Sequence, residues 1–378
     1  MKRIIKEIRT IFNELDGFIP LHSPLFAGNE KEYLMQCIDS TFVSSVGEFV
    51  TRFERQISEY TGAGFAVAAV NGTSALHLAL HALGIGDRDE VITQPLTFVA
   101  TCNAISYTGA RPVFVDVDRD TMGMSPESLK EFLEQYCELR SNQCFRRETG
   151  KRIKACVPMH SFGFPCRIED IVNICNDWNI PVIEDAAESL GSLSGGRHTG
   201  TFGKMGIFSF NGNKVITAGG GGCVVTDDEK LALRLKHLST TAKEAHPWEY
   251  FHNETGFNYR MPNINAALLC AQMEELPVFL EKKRELAERY LEVFGRMGIE
   301  VKKERENTRA NYWLNTIVMR SREERDALLE EAIKSKVMIR PAWKLMNTLP
   351  MYRDSFSASV KNSKNLSDCI VNVPSSVI

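Results

Sequence analysis

No two cysteines of this chain form a Cys-x-x-Cys pair, and no cysteine–histidine group falls at zinc-ligand spacing. The ten cysteines (Cys37, Cys102, Cys137, Cys144, Cys156, Cys166, Cys175, Cys223, Cys270 and Cys369) are scattered, which predicts reduced, mostly buried thiols of a cytoplasmic protein. An excess of charge is missing too: 45 Lys and Arg against 48 Asp and Glu leave a net charge of -3, so nothing electrostatic argues for nucleic acid or an acidic membrane surface. A Gly-x-x-x-x-Gly-Lys-Ser/Thr loop is absent, which removes the case for a nucleoside triphosphatase. Gly62-Ala63-Gly64 precedes a strand where a dinucleotide loop must follow one. The stretch Met1–Leu15 has no unbroken apolar run; Ile4, Ile5, Ile8, Ile11, Phe12 and Leu15 stand at helical spacing and predict a helix packed on the body or on a second subunit. No internal repeat or low-complexity tract interrupts the rest.

What the chain does have is a repeated strand–helix alternation, and its 378 residues are enough for two domains. Phe65–Val70 reads as an apolar strand, Asn71-Gly72-Thr73-Ser74 as a tight turn and Ala75–Leu83 as a helix. Further strands are expected at Asp89–Thr93, Pro112–Val117, Ile153–Met159, Pro181–Glu184, Ile207–Phe210 and Cys223–Thr226. Uniformly apolar strands between helices predict an α/β fold with a mostly parallel central sheet covered on both faces. The polar stretch Cys137–Lys151 reads as an exposed excursion. Beyond Arg260 come two long helices, Asn263–Leu276 and Pro277–Met297, the second with Glu281-Lys282-Lys283-Arg284-Glu285 on its solvated face, and then a strand–helix–strand run to Arg340. The expected organisation is a helical arm over residues 1–18, a large domain over 19–262 and a smaller α+β domain over 263–378 joined by the long helical segment.

Four features at strand ends bear on chemistry, each beside a plainer reading. Lys214 lies in a turn between two apolar strands, followed by Gly219, Gly220, Gly221 and Gly222, which let backbone and ligand approach closely; it is a reactive amine or an ordinary loop lysine. Gly72, Thr73 and Ser74 open a helix, where free N–H groups, two hydroxyls and the helix dipole suit a phosphate, although such residues also simply cap helices. Glu184, Asp185 and Glu188 follow an apolar strand, at the place where open α/β sheets bind ligands, and one carboxylate could hold a proton on a heteroaromatic nitrogen. His160 also follows a strand, but no histidine stands near these acids at ligand spacing, so no metal is expected. Phe98 either stacks on a planar ligand or packs in the core. Together, a phosphate cup, a carboxylate, an aromatic ring and a lysine in one such sheet are the parts required to hold pyridoxal 5′-phosphate.

At the level of motifs the chain resembles the DegT/StrS-type (DegT/DnrJ/EryC/StrS) sugar-nucleotide aminotransferases. The resemblance is carried by Asn71-Gly72-Thr73-Ser74-Ala75-Leu76, Thr97-Phe98-Val99-Ala100-Thr101, Glu184-Asp185-Ala186-Ala187-Glu188, Ser209-Phe210 with Asn213-Lys214, and Gly256-Phe257-Asn258-Tyr259-Arg260-Met261. It runs from about Ile19 to the C-terminus in the family's order. What it implies is the type I, aspartate aminotransferase-like fold, a homodimer with shared active sites, pyridoxal 5′-phosphate alternating with pyridoxamine 5′-phosphate, and glutamate as amino donor. Residue by residue, Lys214 resembles the Schiff-base lysine and Asp185 the partner of the pyridine nitrogen. Phe98 resembles the stacking residue; Gly72, Thr73, Ser74 and Ser209 resemble the phosphate ligands, with Asn258 reaching in from the other subunit. Where the family commonly has glutamine, in contact with the cofactor's ring hydroxyl, this chain has Glu188.

Within the family, Ile19-Pro20-Leu21-His22-Ser23-Pro24, Phe26-Ala27-Gly28-Asn29-Glu30, Val43-Ser44-Ser45-Val46-Gly47 and Arg340-Pro341-Ala342-Trp343-Lys344-Leu345 are most similar to the legionaminic acid-pathway enzymes. That similarity implies amination at C4 of UDP-2-acetamido-2,6-dideoxy-4-keto-hexose, with Arg260, Arg340, Trp343 and His160 toward the substrate, although Trp343 also suits a core. Two other functions compete with this one. A sugar dehydratase of the same family typically has histidine in place of the lysine, so Lys214 speaks against it. A catalytically silent ligand-binding relative is disfavoured by Lys214, Asp185 and Ser209 all being present.

Overall fold

The runs Phe65–Ala69, Asp89–Thr93 and Gly222–Thr226 have side chains buried on both faces along most of their length, so each must be a strand inside a covered sheet. A computed structural model describes all residues, 1–378. In it, Phe65–Ala69, Gly222–Thr226, Met205–Ser209 and Ile183–Asp185 lie side by side, and Arg152–Val157, Asp89–Thr93 and Arg111–Phe114 continue the order through bridges of Cys156 to Val182 and Met159 to Asp185. Every pairing along this line is parallel except those of Gly222–Thr226, which runs against both neighbours. Parallel pairing forces each connection back across a face, and the intervening helices, such as Gly72–Ala82 and Ile168–Asp177, make those crossovers. Ligand-binding loops therefore gather at the carboxyl ends of the strands.

Two expectations are corrected on either side of this sheet. Cys137–Lys151 is no excursion: Cys137–Arg140 and Gln143–Arg146 form an antiparallel hairpin that pairs onto Arg152. Cys137, Cys144 and Arg146 are buried in it, the last through a two-pronged ion pair of 2.8 and 3.0 Å to Glu90. The polar surroundings hid this because an edge hairpin shows the sheet only alternate residues. Likewise the two helices expected after Arg260 are one, Asn263–Arg296, running through Pro277. Proline removes one backbone donor, but packing on both sides of it, by Leu276 and Phe279, keeps the helix continuous.

The second half of that helix carries the rest of the chain. Leu286, Tyr290 and Phe294 pack with Ile317, Val371 and Val373 of an antiparallel sheet ordered Glu300–Val301, Asn315–Val318, Ile370–Val373, Arg340–Pro341. Ile4, Ile5 and Ile8 of the N-terminal helix Lys2–Phe12 close the same cluster, so this helix packs on the body. All ten cysteines are free and buried. No helix is long and apolar enough to cross a membrane.

Candidate active site

The turn after the strand Phe65–Ala69 is pulled tight by Asn71, whose Oδ1 accepts the Ser74 N–H at 2.8 Å and caps the helix Gly72–Ala82. Helix geometry leaves the N–H groups of Gly72 and Thr73 without intrahelical partners, pointing out of the helix start. A Cβ at Gly72 would come within 2.8 Å of the Ser209 Cβ, and one at Gly222 within 2.5 Å of the Asn71 carbonyl carbon. So the glycine run after Lys214 has an identifiable use at its last member: Gly222 lets that strand end press against the turn. The result is a cup of backbone donors with the Ser209 side chain beside it, at the positive end of a helix.

Across a cavity of about 410 Å³ from this cup, Asp185 ends the strand Ile183–Asp185. Its Oδ2 accepts the Thr101 hydroxyl at 2.7 Å and its Oδ1 the Ala187 N–H at 3.2 Å. Burial pushes its pKa up, while Thr101, Ala187 and Lys214 draw it back, so the carboxylate is oriented without being saturated. Thr101, in the first turn of the helix Val99–Tyr107, is in turn bonded at 2.8 Å to Thr97, which precedes that helix.

Lys214 reaches the same cavity from the loop after Met205–Ser209. Its Nζ lies 3.3 Å from Glu188 Oε1 and 4.1 Å from the ring centre of Trp313, whose Nε1–H donates to the Asn213 carbonyl at 2.6 Å. Glu188 is buried and its Oε2 accepts the Phe162 N–H at 2.8 Å. Burial raises its pKa to about 7 against the pull of Lys214. Phe162 has a left-handed backbone, φ 57°, and stacks on Trp343 with ring centres 4.7 Å apart. Trp343 and the half-exposed Phe98 form the remaining aromatic wall.

Of the residues singled out from sequence, Gly72, Thr73, Phe98, Asp185, Glu188, Ser209, Lys214 and Trp343 line this one cavity. Ser74 does not; its N–H is spent on the Asn71 cap. His160 is a correction: it is fully buried behind the cavity, its Nδ1 accepting the Cys166 N–H and its Nε2 donating to Glu184 at 2.9 Å, which leaves no atom for substrate. Arg340 is exposed outside the cavity wall. Asn258 and Arg260 are exposed, bonded to one another at 3.0 Å, and do not reach the cavity of their own chain. Sequence reasoning gave no role to Thr101 or Trp313. Nothing near either in sequence marks Thr101 as a neighbour of Asp185 or Trp313 as a neighbour of Lys214.

A parallel-dominated sheet with a helix-start cup, a strand-end carboxylate and a lysine around one cavity defines a pyridoxal phosphate-dependent transferase of fold type I. The chain belongs to the DegT/DnrJ/EryC1/StrS aminotransferase family, whose sequence profile matches residues 25–377. It is similar to the GDP-perosamine synthase of Escherichia coli O157:H7, 39% identical over 339 residues that cover 90% of this chain and 88% of that one. The GDP-perosamine synthase of Vibrio cholerae is 37% identical over 339 residues, covering 88% and 87%. Among solved structures, the aminotransferase TlmJ from Streptoalloteichus hindustanus superposes with a TM-score of 0.85 at 26% identity, covering 94% of this chain and 93% of that one. The protein is thus a pyridoxal phosphate-dependent aminotransferase.

The residues present fit that cofactor. The cup at Gly72 has no room for a side chain yet is lined with donors, the Asp185 carboxylate keeps unused acceptor capacity, and Lys214 is 13% exposed with its amine aimed into the cavity. Gly72, Thr73 and Ser209 would hold the phosphate, Asp185 the ring nitrogen, Phe98 the ring face and Lys214 the aldehyde carbon.

Proposed function

We propose that the protein transfers an amino group from glutamate to C4 of a nucleotide-linked 4-keto-6-deoxy sugar, UDP-2-acetamido-2,6-dideoxy-4-keto-hexose, for surface-polysaccharide or nonulosonic acid biosynthesis. The observation that carries the amination is the meeting of Lys214, Asp185 and the Gly72–Thr73 helix start in one cavity. Relatives named for a GDP-linked amino sugar support a sugar nucleotide as acceptor. The choice of the UDP-linked N-acetyl sugar rests on the motif resemblance at Ile19–Pro24 and Arg340–Leu345.

Bound pyridoxal phosphate supplies an electron-accepting ring and carries the amino group between the two substrates. The chain's own residues do the rest. Asp185 holds a proton on the ring nitrogen, where a buried carboxylate within reach of two donors is worth more than in water. Lys214, as the neutral amine, removes the proton from the carbon bearing the donor nitrogen and, in the second stage, delivers one to C4 of the sugar. Trp343 and Phe98 present flat apolar faces that keep water from the reacting carbons. Asn258 and Arg260 serve a second copy of the chain: they sit on an exposed segment with Trp248, Tyr250 and Phe251, which are 77%, 82% and 58% exposed, as a subunit-crossing element requires. The same reading divides the chain into a cofactor-binding unit, 19–262, and a C-terminal unit, 263–378, on which the arm 1–18 docks.

The test uses the protein in its pyridoxamine form, mixed with UDP-, GDP- and dTDP-linked 4-keto sugars while the cofactor's absorbance is followed. Return of the pyridoxal spectrum with the UDP-linked N-acetylated sugar is expected. A response confined to GDP-linked sugars overturns the nucleotide assignment, and no response to any sugar overturns the function.

A further inference from the structure

We propose that Glu188 is the proton partner of Lys214: its Oε1 takes a proton from the Nζ ammonium and returns it, while Trp313 and the Phe162 backbone hold carboxylate and amine in register. The inference rests on the role given to Lys214 under Proposed function. While Lys214 is detached from the cofactor its amine is free, and an ammonium there must give up a proton before it can remove one from carbon. Glu188 Oε1, at 3.3 Å, is the carboxylate oxygen bonded to Nζ. Asp185, the other carboxylate in the cavity, is turned toward Thr101 and the Ala187 N–H, and the bond from Nζ goes to Glu188.

The exchange balances as one proton moved: Lys-NH3+ and Glu-COO- become Lys-NH2 and Glu-COOH, with no other bond changed. Glu188 suits it because its Oε1 lies within reach of the amine and burial raises its pKa to about 7, so the carboxyl can take up and release a proton near neutral pH. Its other oxygen is held by the Phe162 N–H, and its backbone carbonyl accepts the Asn311 side-chain amide at 2.9 Å, which anchors the main chain beneath it. The amine is fixed from the far side by the face of Trp313. The charged groups acting on Glu188 are Lys214 and Asp185; His160 acts in turn on Asp185, and His22 is a further titratable group within range of both Lys214 and Lys283. A glutamine at this position keeps the shape and an acceptor for Phe162 and holds no proton.

Glu188→Gln and Glu188→Asp, in the full chain loaded with pyridoxal phosphate, test the proposal. Borohydride reduction followed by peptide mapping first locates the cofactor. The absorbance of the bound cofactor and kcat are then followed from about pH 5.5 to about 9.5, and acetic anhydride labelling of Lys214 is followed over the same range in the cofactor-free chain. In the wild type, labelling should show an inflection near pH 7, where Glu188 titrates. Glu188→Gln should lose that inflection and lose kcat by about tenfold at neutral pH, with the deficit shrinking as pH rises and bulk base takes the proton. Glu188→Asp should restore an inflection at a shifted pH. Identical pH profiles for wild type and Glu188→Gln, with the cofactor on Lys214, overturn this proposal alone. Cofactor found on another lysine overturns the reading of Lys214 and this proposal with it.

Discussion

Two buried carboxylates on the same strand end, Glu184 and Glu188, have opposite surroundings. Glu184 points below the cavity into a closed polar layer, where it accepts the His160 Nε2–H at 2.9 Å and the N–H groups of Gly200, Phe202 and Gly203 at 2.7, 2.6 and 2.7 Å. Glu188 faces the cavity with two donors, the Phe162 N–H and the Lys214 amine. Two lysines repeat the contrast. Lys283 is fully buried and ends on the carbonyls of Trp313 and Ser375, at 3.2 and 2.6 Å, while Lys214 ends on a carboxylate beside open space. Burial of a charge therefore does not mark the chemistry here. A buried polar group that is fully partnered builds the scaffold, and one with unused capacity beside a cavity is free to react.

The sharpest way to break this contrast is to remove each lysine. Lys214→Ala is expected to lower the amination rate by about 10³-fold or more, because the attachment point and the proton carrier vanish together. Lys283→Met keeps the length of the side chain and removes a buried cation that has no carboxylate opposite it, so the rate should stay within about threefold of wild type. Steady-state amination of the accepted sugar, beside a thermal melt of each variant, measures both. Equal loss in the two would show that Lys283 also takes part in the chemistry.

A second comparison sets the glutamates against each other in stability. In Glu184→Gln the amide oxygen can keep two of the donors, but its NH2 then faces further N–H groups, donor against donor in a buried layer. Loss of about 3 kcal/mol is expected in urea unfolding. Glu188→Gln, with fewer partners and a cavity to relax into, should lose about 1 kcal/mol. If the order is reversed, the strain at Phe162 depends on the Glu188 carboxylate more than its single N–H bond indicates.

The contrast also separates what the sequence reveals from what it hides. The parallel sheet was legible because its strands are apolar on both faces and alternate with helices. The cavity was legible because Gly72, Asp185 and Lys214 each stand at a strand end, where such a sheet must bind its ligand. What stayed hidden is set by contacts distant in sequence. Glu281-Lys282-Lys283-Arg284-Glu285 reads as one solvated patch, yet Lys283 turns inward because the C-terminal strand end and the Trp313 segment close over that side of the helix. The role of His160 is hidden for the same reason. A histidine after a strand looks like a site residue until Glu184 and the backbone of Cys166 are seen to occupy both its nitrogens.

The contrast extends to a pair of opposed slopes of stability against pH. Burial lowers the Lys283 pKa to about 7, whereas in the unfolded chain a lysine titrates at about 10.4. Between those values the unfolded chain holds a proton that the folded protein has released, so this residue makes stability rise with pH across that window, by at most about 1.4 kcal/mol per unit. Below about pH 7 both states are protonated and the slope vanishes with the whole penalty in force. Glu188 acts on the other side of neutrality. Its folded pKa of about 7 lies above the unfolded value of about 4.3, so the folded state holds the extra proton and stability falls as pH rises between them. Subtracting variant from wild type in urea midpoints should therefore give an alkaline rise that Lys283→Met abolishes and an acidic fall that Glu188→Gln abolishes. Parallel curves for wild type and Lys283→Met above neutrality would mean that the carbonyls of Trp313 and Ser375 keep the ammonium charged, and that the closed layer holds a cation as readily as the open one.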